Sequence, residues 1–183
     1  PELTRAINAI APSVLAQGAQ RIGALLVHYS RDYVFDGSGR TPWREDDRTG
    51  PLSVYGQTKL EGERLIAHHC RRHLIFRTSW VYAARGGNFA KTMIRLAQER
   101  DRLTVIDDQF GAPTGADLIA DVTAHTIRAL MHDSGKAGLY HLVASGETNW
   151  HGYARFVLAQ AQARGVQLKA DPQEIVAVPT SAF

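Results

Sequence analysis

Tyr55 and Lys59 stand four residues apart in the run Pro51-Leu52-Ser53-Val54-Tyr55-Gly56-Gln57-Thr58-Lys59. On a helix, positions i and i+4 share a face, so a phenol and an ammonium at this spacing can address one ligand. A free tyrosine ionises near a pH of about 10, and a neighbouring cation favours the phenolate. A phenol so tuned can exchange a proton with a substrate oxygen near neutral pH. The lysine has further donors for a sugar hydroxyl. The spacing alone is weak evidence, because a solvated helix face carries such pairs by chance. Its weight comes from the elements around it.

The chain opens in a helical pattern from Glu2 to about Gly18, with Ile7, Ile10, Ala11, Val14 and Leu15 at helical spacing. Gly23 to Ser30 is a short apolar run behind a glycine, as a strand buried on both faces would be. A polar loop over residues 31–50 follows, and then Pro51 and Ser53 introduce a helix with Leu60, Leu65 and Ile66 inward. Tyr55 and Lys59 lie in its first turns. His73–Thr78 reads as a strand, about Asn88 to Glu99 as a helix, and Leu103–Ile106 as a strand. About Ala116 to Met131 reads as a helix and Leu139–Val143 as a strand, and Thr148 is placed to cap a last helix running to about Ala163. A strand-like run closes the pattern at Glu174–Val178. Strands alternating with helices predict an α/β fold with a parallel, helix-covered sheet. In such sheets ligands bind beyond the carboxyl ends of the strands, so chemistry is expected in the loops after Ser30 and Thr78.

At 183 residues, 44% hydrophobic and 21% charged, the composition is globular and long enough for one sizeable core. The net charge of +3 is modest, and its seventeen Arg and four Lys are spread along the chain. That argues against nucleic acid as a partner while leaving an anionic ligand welcome. A single cysteine, Cys70, cannot form an internal disulfide, which fits a reducing cytoplasm. No apolar run reaches the length of a membrane span, so no membrane partner is read. His68, His69, Cys70 and His73 gather where the Tyr55 helix should end, and there cationic side chains suit the helix dipole. No metal site is read from them.

Five runs in order then resemble the extended short-chain dehydrogenase/reductases, and within them the dTDP-4-dehydrorhamnose reductases. Those proteins carry HYSTDYVFDG, YGxxKxxGE, RTSWVYG, GNFxxTMxxL and DDQxGxPT; here the matching runs are His28 to Gly37, Tyr55 to Glu63, Arg77 to Tyr82, Gly87 to Leu96 and Asp107 to Thr114. The resemblance implies a Rossmann-like sheet with helices on both faces. It also implies NADPH or NADH as cofactor and reduction of the 4-keto group of dTDP-4-dehydro-6-deoxy-L-mannose to dTDP-L-rhamnose, a step in nucleotide-sugar and cell-surface polysaccharide biosynthesis. By the same resemblance Tyr55 is the proton donor and Lys59 holds the nicotinamide ribose. Asn8 matches a helix asparagine that holds a water near the lysine, Ser30 lies with the cofactor, and Asp32 and Trp80 match contacts to the nucleotide sugar. The alternative for Trp80 is core packing. Asn88, Asp107, Asp108, Gln109 and Thr114 match motif positions, and adjacent Asp107 and Asp108 read better as a strand-end turn than as paired acid and base. The partner implied is a nucleotide sugar, and a homodimer is compatible.

Two departures shape the expectation. Arg31 stands where the family has a threonine whose hydroxyl donates to the substrate carbonyl, and arginine is longer and permanently charged. Ser30 cannot stand in, because neighbours on a strand point to opposite faces. None of the sixteen glycines forms a G-x-G-x-x-G or G-x-x-G-x-x-G run after a strand. In the family that run would precede residue 1. The expectation is one incomplete domain over residues 1–183. Residues up to about 80 would form the second half of the dinucleotide-binding fold with its catalytic helix, and about 81–183 would complete the sheet and a substrate-binding region. The N-terminal strands, their glycine-rich segment and the C-terminal end would be missing. Two competing functions follow: a non-catalytic or inactive reductase-like binding subunit, favoured by Arg31, and another nucleotide-sugar epimerase or reductase. Dehydration is disfavoured, since Asp32 is followed by Tyr33 rather than a second acid.

Overall fold

The computed structural model describes residues 1–182. Helical residues run unbroken through α1 (Glu2–Arg5), one π-helical turn (Ala6–Ile10) and α2 (Ala11–Ile22). Pro12 accounts for the π turn. It has no N–H, and its ring crowds the carbonyl four residues back, that of Asn8, so the hydrogen-bond ladder widens ahead of it. The helix passes Gly18, where an interior glycine costs only about 1 kcal/mol. It stops at Gly23, whose φ of 68° supplies the left-handed residue that ends a helix.

The chain continues through β1 (Leu26–Arg31), a 3-10 turn (Asp32–Val34), α3 (Val54–His69) and β2 (His73–Thr78). It then runs through β3 (Val81–Tyr82), α4 (Phe89–Glu99), β4 (Thr104–Ile106), β5 (Phe110–Gly111), β6 (Thr114–Gly115) and α5 (Ala116–His132). The last elements are β7 (Gly138–His141), β8 (Thr148–Asn149), α6 (Trp150–Ala163) and β9 (Val176–Val178). Two compact units result: residues 1–78 with 120–142, and residues 79–119 with those from Val143 onward.

The first unit holds a parallel sheet in the order β1-β2-β7. Register places His28 beside Ile75 and Ser30 beside Arg77 on one face, and Tyr29 beside Phe76 and Arg31 beside Thr78 on the other. The first face meets α3, through Lys59 to His28 and Glu63 to Arg77. The second meets α5, through the Tyr29 hydroxyl and Thr123 at 2.9 Å. Helices therefore cover both faces. Strand β1 is less buried than its apolar sequence implies, with Ser30 fully buried and Tyr29 exposed, because among the described residues it pairs with β2 alone.

Helix α2 packs on α3 through small residues. An added Cβ at Gly62 would lie 2.2 Å from the Asn8 carbonyl, so the two backbones meet with no side chain between them. The buried positions of the first helix are accordingly Ala9, Pro12, Ser13 and Ala16. Ile7, Ile10, Val14 and Leu15, the apolar residues that mark it in the sequence, are exposed.

In the second unit α4 and α6 close a core of Met93, Ala97, Leu103, Val105, Ala154 and Leu158. Its strands form three two-stranded ladders, β3 with β6 and β4 with β9 parallel, β5 with β8 antiparallel. Asn149, not Thr148, caps α6, accepting from the Gly152 amide at 2.7 Å. Both residues form β8, Thr148 opposite Gly111 and Asn149 opposite Phe110, and Asn149 is the one that directly precedes the helix.

The Glu63 carboxylate and Arg77 guanidinium, 2.7 Å apart, are only 3% and 6% exposed. Removing one partner strands the other charge away from water. Glu63→Ala should therefore lower unfolding free energy by about 3–5 kcal/mol. Gly62→Ala, which forces backbone apart, should cost about 1–3 kcal/mol. Urea titrations of both variants against the parent check these values, and a Glu63→Ala loss below that of Gly62→Ala would contradict the assignment.

Candidate active site

Ser53 starts α3 as its N-cap, its hydroxyl accepting from the Gly56 amide at 3.1 Å. Gly56 decides where that start lies. A Cβ there would fall 2.1 Å from the Tyr33 carbonyl, so only glycine lets the first turn of α3 rest on the 3-10 turn that leaves β1. This brings the exposed Tyr55 ring edge-on to Tyr33, with centroids 5.9 Å apart. Tyr55 thus stands beside the carboxyl end of β1.

One turn further along, Lys59 is buried, at 8% exposed. Its ammonium donates to the Tyr29 carbonyl at 2.7 Å and lies 3.4 Å from His28 Nε2. Burial pulls the Lys59 ammonium below the ordinary lysine range; Glu63 opposes the shift and Arg31 adds to it. Burial and the charge of Lys59 together hold His28 down to about 4, so it stays neutral at physiological pH.

Asn8 donates to the Thr58 hydroxyl at 3.2 Å, and that hydroxyl donates to the Tyr55 carbonyl at 3.0 Å. The asparagine thus reaches the first turn of α3 through Thr58 rather than contacting the lysine. At the end of β1, Ser30 Oγ, Arg31 Nε and Asp32 Oδ1 are buried without a hydrogen-bond partner, as is Oγ1 of Thr78, the cross-strand neighbour of Arg31. Only two further buried side-chain polar atoms lack a partner among the described residues. Orphaned polar atoms concentrated at one strand end mark a place where a ligand's polar groups would be received. Burial pushes the Asp32 carboxyl up, against the lowering charge of Arg31.

Tyr55, Lys59, Asn8, Ser30, Arg31 and Asp32 are all brought together in the first unit. Trp80 belongs to the second. It is buried, stacks on Trp150 with centroids 3.6 Å apart, and holds a φ of 46°, a strained value for a bulky residue. Gly111 makes room for its ring, since a Cβ there would meet Trp80 at 2.9 Å. The remaining motif residues do structural work. Asp108 accepts from the Thr180 amide and hydroxyl, Asn88 caps α4, and Gln109 bridges Thr180 and Trp150. Asp107 and Asp108 link β4 to β5, Asp107 still bonded through its amide to the Val178 carbonyl and Asp108 at a bend. His73 Nδ1 lies 2.6 Å from the Cys70 carbonyl, and His68 packs edge-on to His69.

Four further residues shape the site: His28, Glu63, Arg77 and Gly56. His28, Glu63 and Arg77 all lie inside the quoted motifs, and the signal was present: an acid on the inward side of a helix and a base within an apolar strand. Gly56 carried a signal too, as a glycine in the first turn of a helix.

The RmlD substrate binding domain model matches residues 1–183. The dTDP-4-dehydrorhamnose reductase of Shigella flexneri is 55% identical over 183 residues, which are 100% of this chain and 60% of that protein. A dTDP-4-dehydrorhamnose reductase crystal structure from Clostridium acetobutylicum superimposes with a TM-score of 0.86 at 36% identity, covering 100% of this chain and 60% of the other. The Bacillus anthracis reductase crystallised with NADP gives 0.82 at 35% identity, covering 98% and 60%. The chain thus spans about 60% of the length of these relatives.

The pH dependence of stability follows from His28. The folded chain holds it neutral down to about 4, whereas the unfolded chain takes up the proton near the ordinary 6.5. Between those values the unfolded state binds more protons, so stability falls as pH drops through that window. His141, lowered mainly by burial, acts in the same direction. His28→Gln should narrow the difference between urea midpoints taken near neutrality and near pH ~4.5, and an unchanged difference would mean that His28 is not responsible.

Proposed function

The chain belongs to the family of the RmlD substrate binding domain, and on that premise we propose that the protein carrying it reduces the 4-keto group of dTDP-4-dehydro-6-deoxy-L-mannose to give dTDP-L-rhamnose, with NADPH or NADH as hydride donor. The observation that carries this reading is a conjunction at one strand end. Tyr55 and a tethered, buried Lys59 lie on one helix beside the carboxyl end of β1, where the unpartnered atoms of Ser30, Arg31, Asp32 and Thr78 gather.

The residues fit a dinucleotide and a sugar. Ser30 Oγ and an N–H of Lys59 suit cofactor hydroxyls or amides, and Asp32 suits a sugar hydroxyl, since a buried carboxyl oxygen without a partner gains most from one. NADPH or NADH, when bound, would supply the hydride for C4. Tyr55 gives its phenolic proton to the C4 oxygen, and the ammonium of Lys59 stabilises the phenolate left behind. Asn8, acting through Thr58, steadies the turn that carries Tyr55. Trp80, in the second unit, has one ring face stacked on Trp150. The nucleotide sugar is the partner, the cytoplasm is the place of action, and a homodimer is compatible. Among the described residues no helix is long and apolar enough to cross a membrane.

Arg31 supports a second reading, a reductase-like protein with weak or no turnover. A charged guanidinium occupies the position where a neutral hydroxyl donates in the family, and it faces the same strand end as the substrate carbonyl would.

One assay addresses both. The protein carrying this chain is given the dTDP-4-keto sugar and NADPH, and absorbance of the reduced nicotinamide is followed. Tyr55→Phe should lower kcat by about 100-fold or more, and absence of any Tyr55-dependent oxidation would remove the reductase reading. Arg31→Thr should raise kcat by about tenfold if the guanidinium obstructs. No gain would retire the weak-enzyme reading.

A further inference from the structure

An ammonium carries three N–H donors and no acceptor, so its direction is set by whatever accepts from it. For Lys59 those acceptors come from one strand. The Tyr29 carbonyl takes one N–H at 2.7 Å, and Nε2 of His28, one residue earlier on β1, lies at 3.4 Å. Glu63, one turn along α3, is already engaged by Arg77 through both carboxylate oxygens. Asn8 Nδ2 donates to the Thr58 hydroxyl, and the ammonium's contacts among the described residues are with Tyr29 and His28.

We propose that His28 is a positioning residue for Lys59: its Nε2 accepts a second N–H of the ammonium, leaving a single N–H to meet the ribose hydroxyl of a bound nicotinamide dinucleotide. The identity of that last partner rests on the reductase reading above. The geometry carries a chemical requirement of its own. Because lysine can only donate, Nε2 must be the unprotonated nitrogen and the ring proton must sit on Nδ1. That is the minority tautomer of a free imidazole, and it is readable without any activity.

The sequence holds a matching signature. His28, Tyr29 and Lys59 lie in the two runs that frame the site, 30 and 31 residues apart along the chain. Parallel register and the packing of α3 bring them together, with α3 resting on the face of the sheet that His28 shares with Ser30.

The test has two arms on the protein that carries this chain. In the first, 15N NMR of the imidazole side chains, with the His28 signals assigned by their loss in His28→Gln, should give an unprotonated Nε2 and a protonated Nδ1 at neutral pH. An Nε2–H tautomer overturns the proposal. In the second, NADPH affinity and steady-state constants are compared among the parent, His28→Gln and His28→Leu. Glutamine offers an oxygen acceptor at similar reach and should keep NADPH affinity within about threefold, whereas leucine fills the space without accepting and should weaken NADPH binding about tenfold, as expected for a lost hydrogen bond to a charged group. The loss should appear in the KM for NADPH, with the KM for the sugar nearly unchanged. Equal affinities for the leucine variant and the parent overturn the proposal, as does a glutamine variant as weak as leucine. NADPH binding with the Nδ1–H tautomer and a leucine-specific loss, but no sugar turnover, supports His28 and removes only the reductase reading.

Discussion

Glu63 and Arg77 meet in the first unit as two charges almost wholly removed from water, and the geometry of the site depends on them. Buried charges persist only when paired and hydrogen-bonded, and here the guanidinium grips the carboxylate through Nε and Nη2. Tyr55, Lys59 and Glu63 follow one another at four-residue intervals, a single stripe on α3. Anchoring Glu63 to β2 fixes the rotation of the helix about its axis. With that rotation set, Lys59 must face β1 and Tyr55 must face the end of the strand. Arg77 extends the anchorage to the loop after β1. Its Nη1 donates to the Glu45 carbonyl at 3.3 Å, and its plane lies 5.0 Å from the centre of Phe35, itself stacked on Trp43. The Glu45 carboxylate in turn accepts from the His141 amide of β7 at 2.8 Å.

If the ion pair sets rotation, two glycines set distance. Gly56 lets the first turn of α3 touch the Tyr33 carbonyl, and Gly62 lets its middle touch the Asn8 carbonyl. The second contact depends on Pro12, which removes the intrahelical donor that Asn8 O would otherwise have met and widens the helix there. A helix pinned in rotation by charge and in depth by backbone contact leaves its Tyr55 little freedom. That is the preorganisation a proton donor needs.

Much of the element order was legible because the signals were local. The start of the Tyr55 helix at Ser53 and the strand His73–Thr78 follow from capping chemistry and apolar runs, and the four-residue spacing of Tyr55 and Lys59 survives folding because a helix preserves it. What was not legible depends on distant partners. Thr148 and Asn149 are both good caps and both pair with β5, and the choice falls to Asn149 because α6 starts at the next residue, Trp150. The first helix shows the same limit from the other side. Its large apolar residues draw the eye, yet its contact face is Ala9, Pro12, Ser13 and Ala16, because close approach to α3 selects for small size rather than hydrophobicity. His28 could not be linked to Lys59 from sequence, since that contact exists only once the face of β1 that α3 covers is known. The stack of Trp80 on Trp150 likewise joins residues seventy apart in the chain and leaves no local signal.

The charges at the end of β1 are coupled, which changes what the substitution at position 31 means. Arg31 lowers the pKa of Lys59 and, at the same time, offsets the rise that burial imposes on Asp32. A neutral hydroxyl at that position would relieve the lysine but would leave the Asp32 carboxylate with one fewer compensating charge in a desolvated place. Arg31 is therefore not a single foreign side chain in an otherwise unchanged site. It shares an electrostatic balance with its neighbour, so Arg31 and Asp32 should respond non-additively when altered together, as contacting charges do. The same coupling reaches Glu63, which supports the charge of Lys59 against both burial and Arg31. One buried acid thus serves two ends: it orients the helix through Arg77, and it keeps the lysine that helix carries closer to its ammonium form.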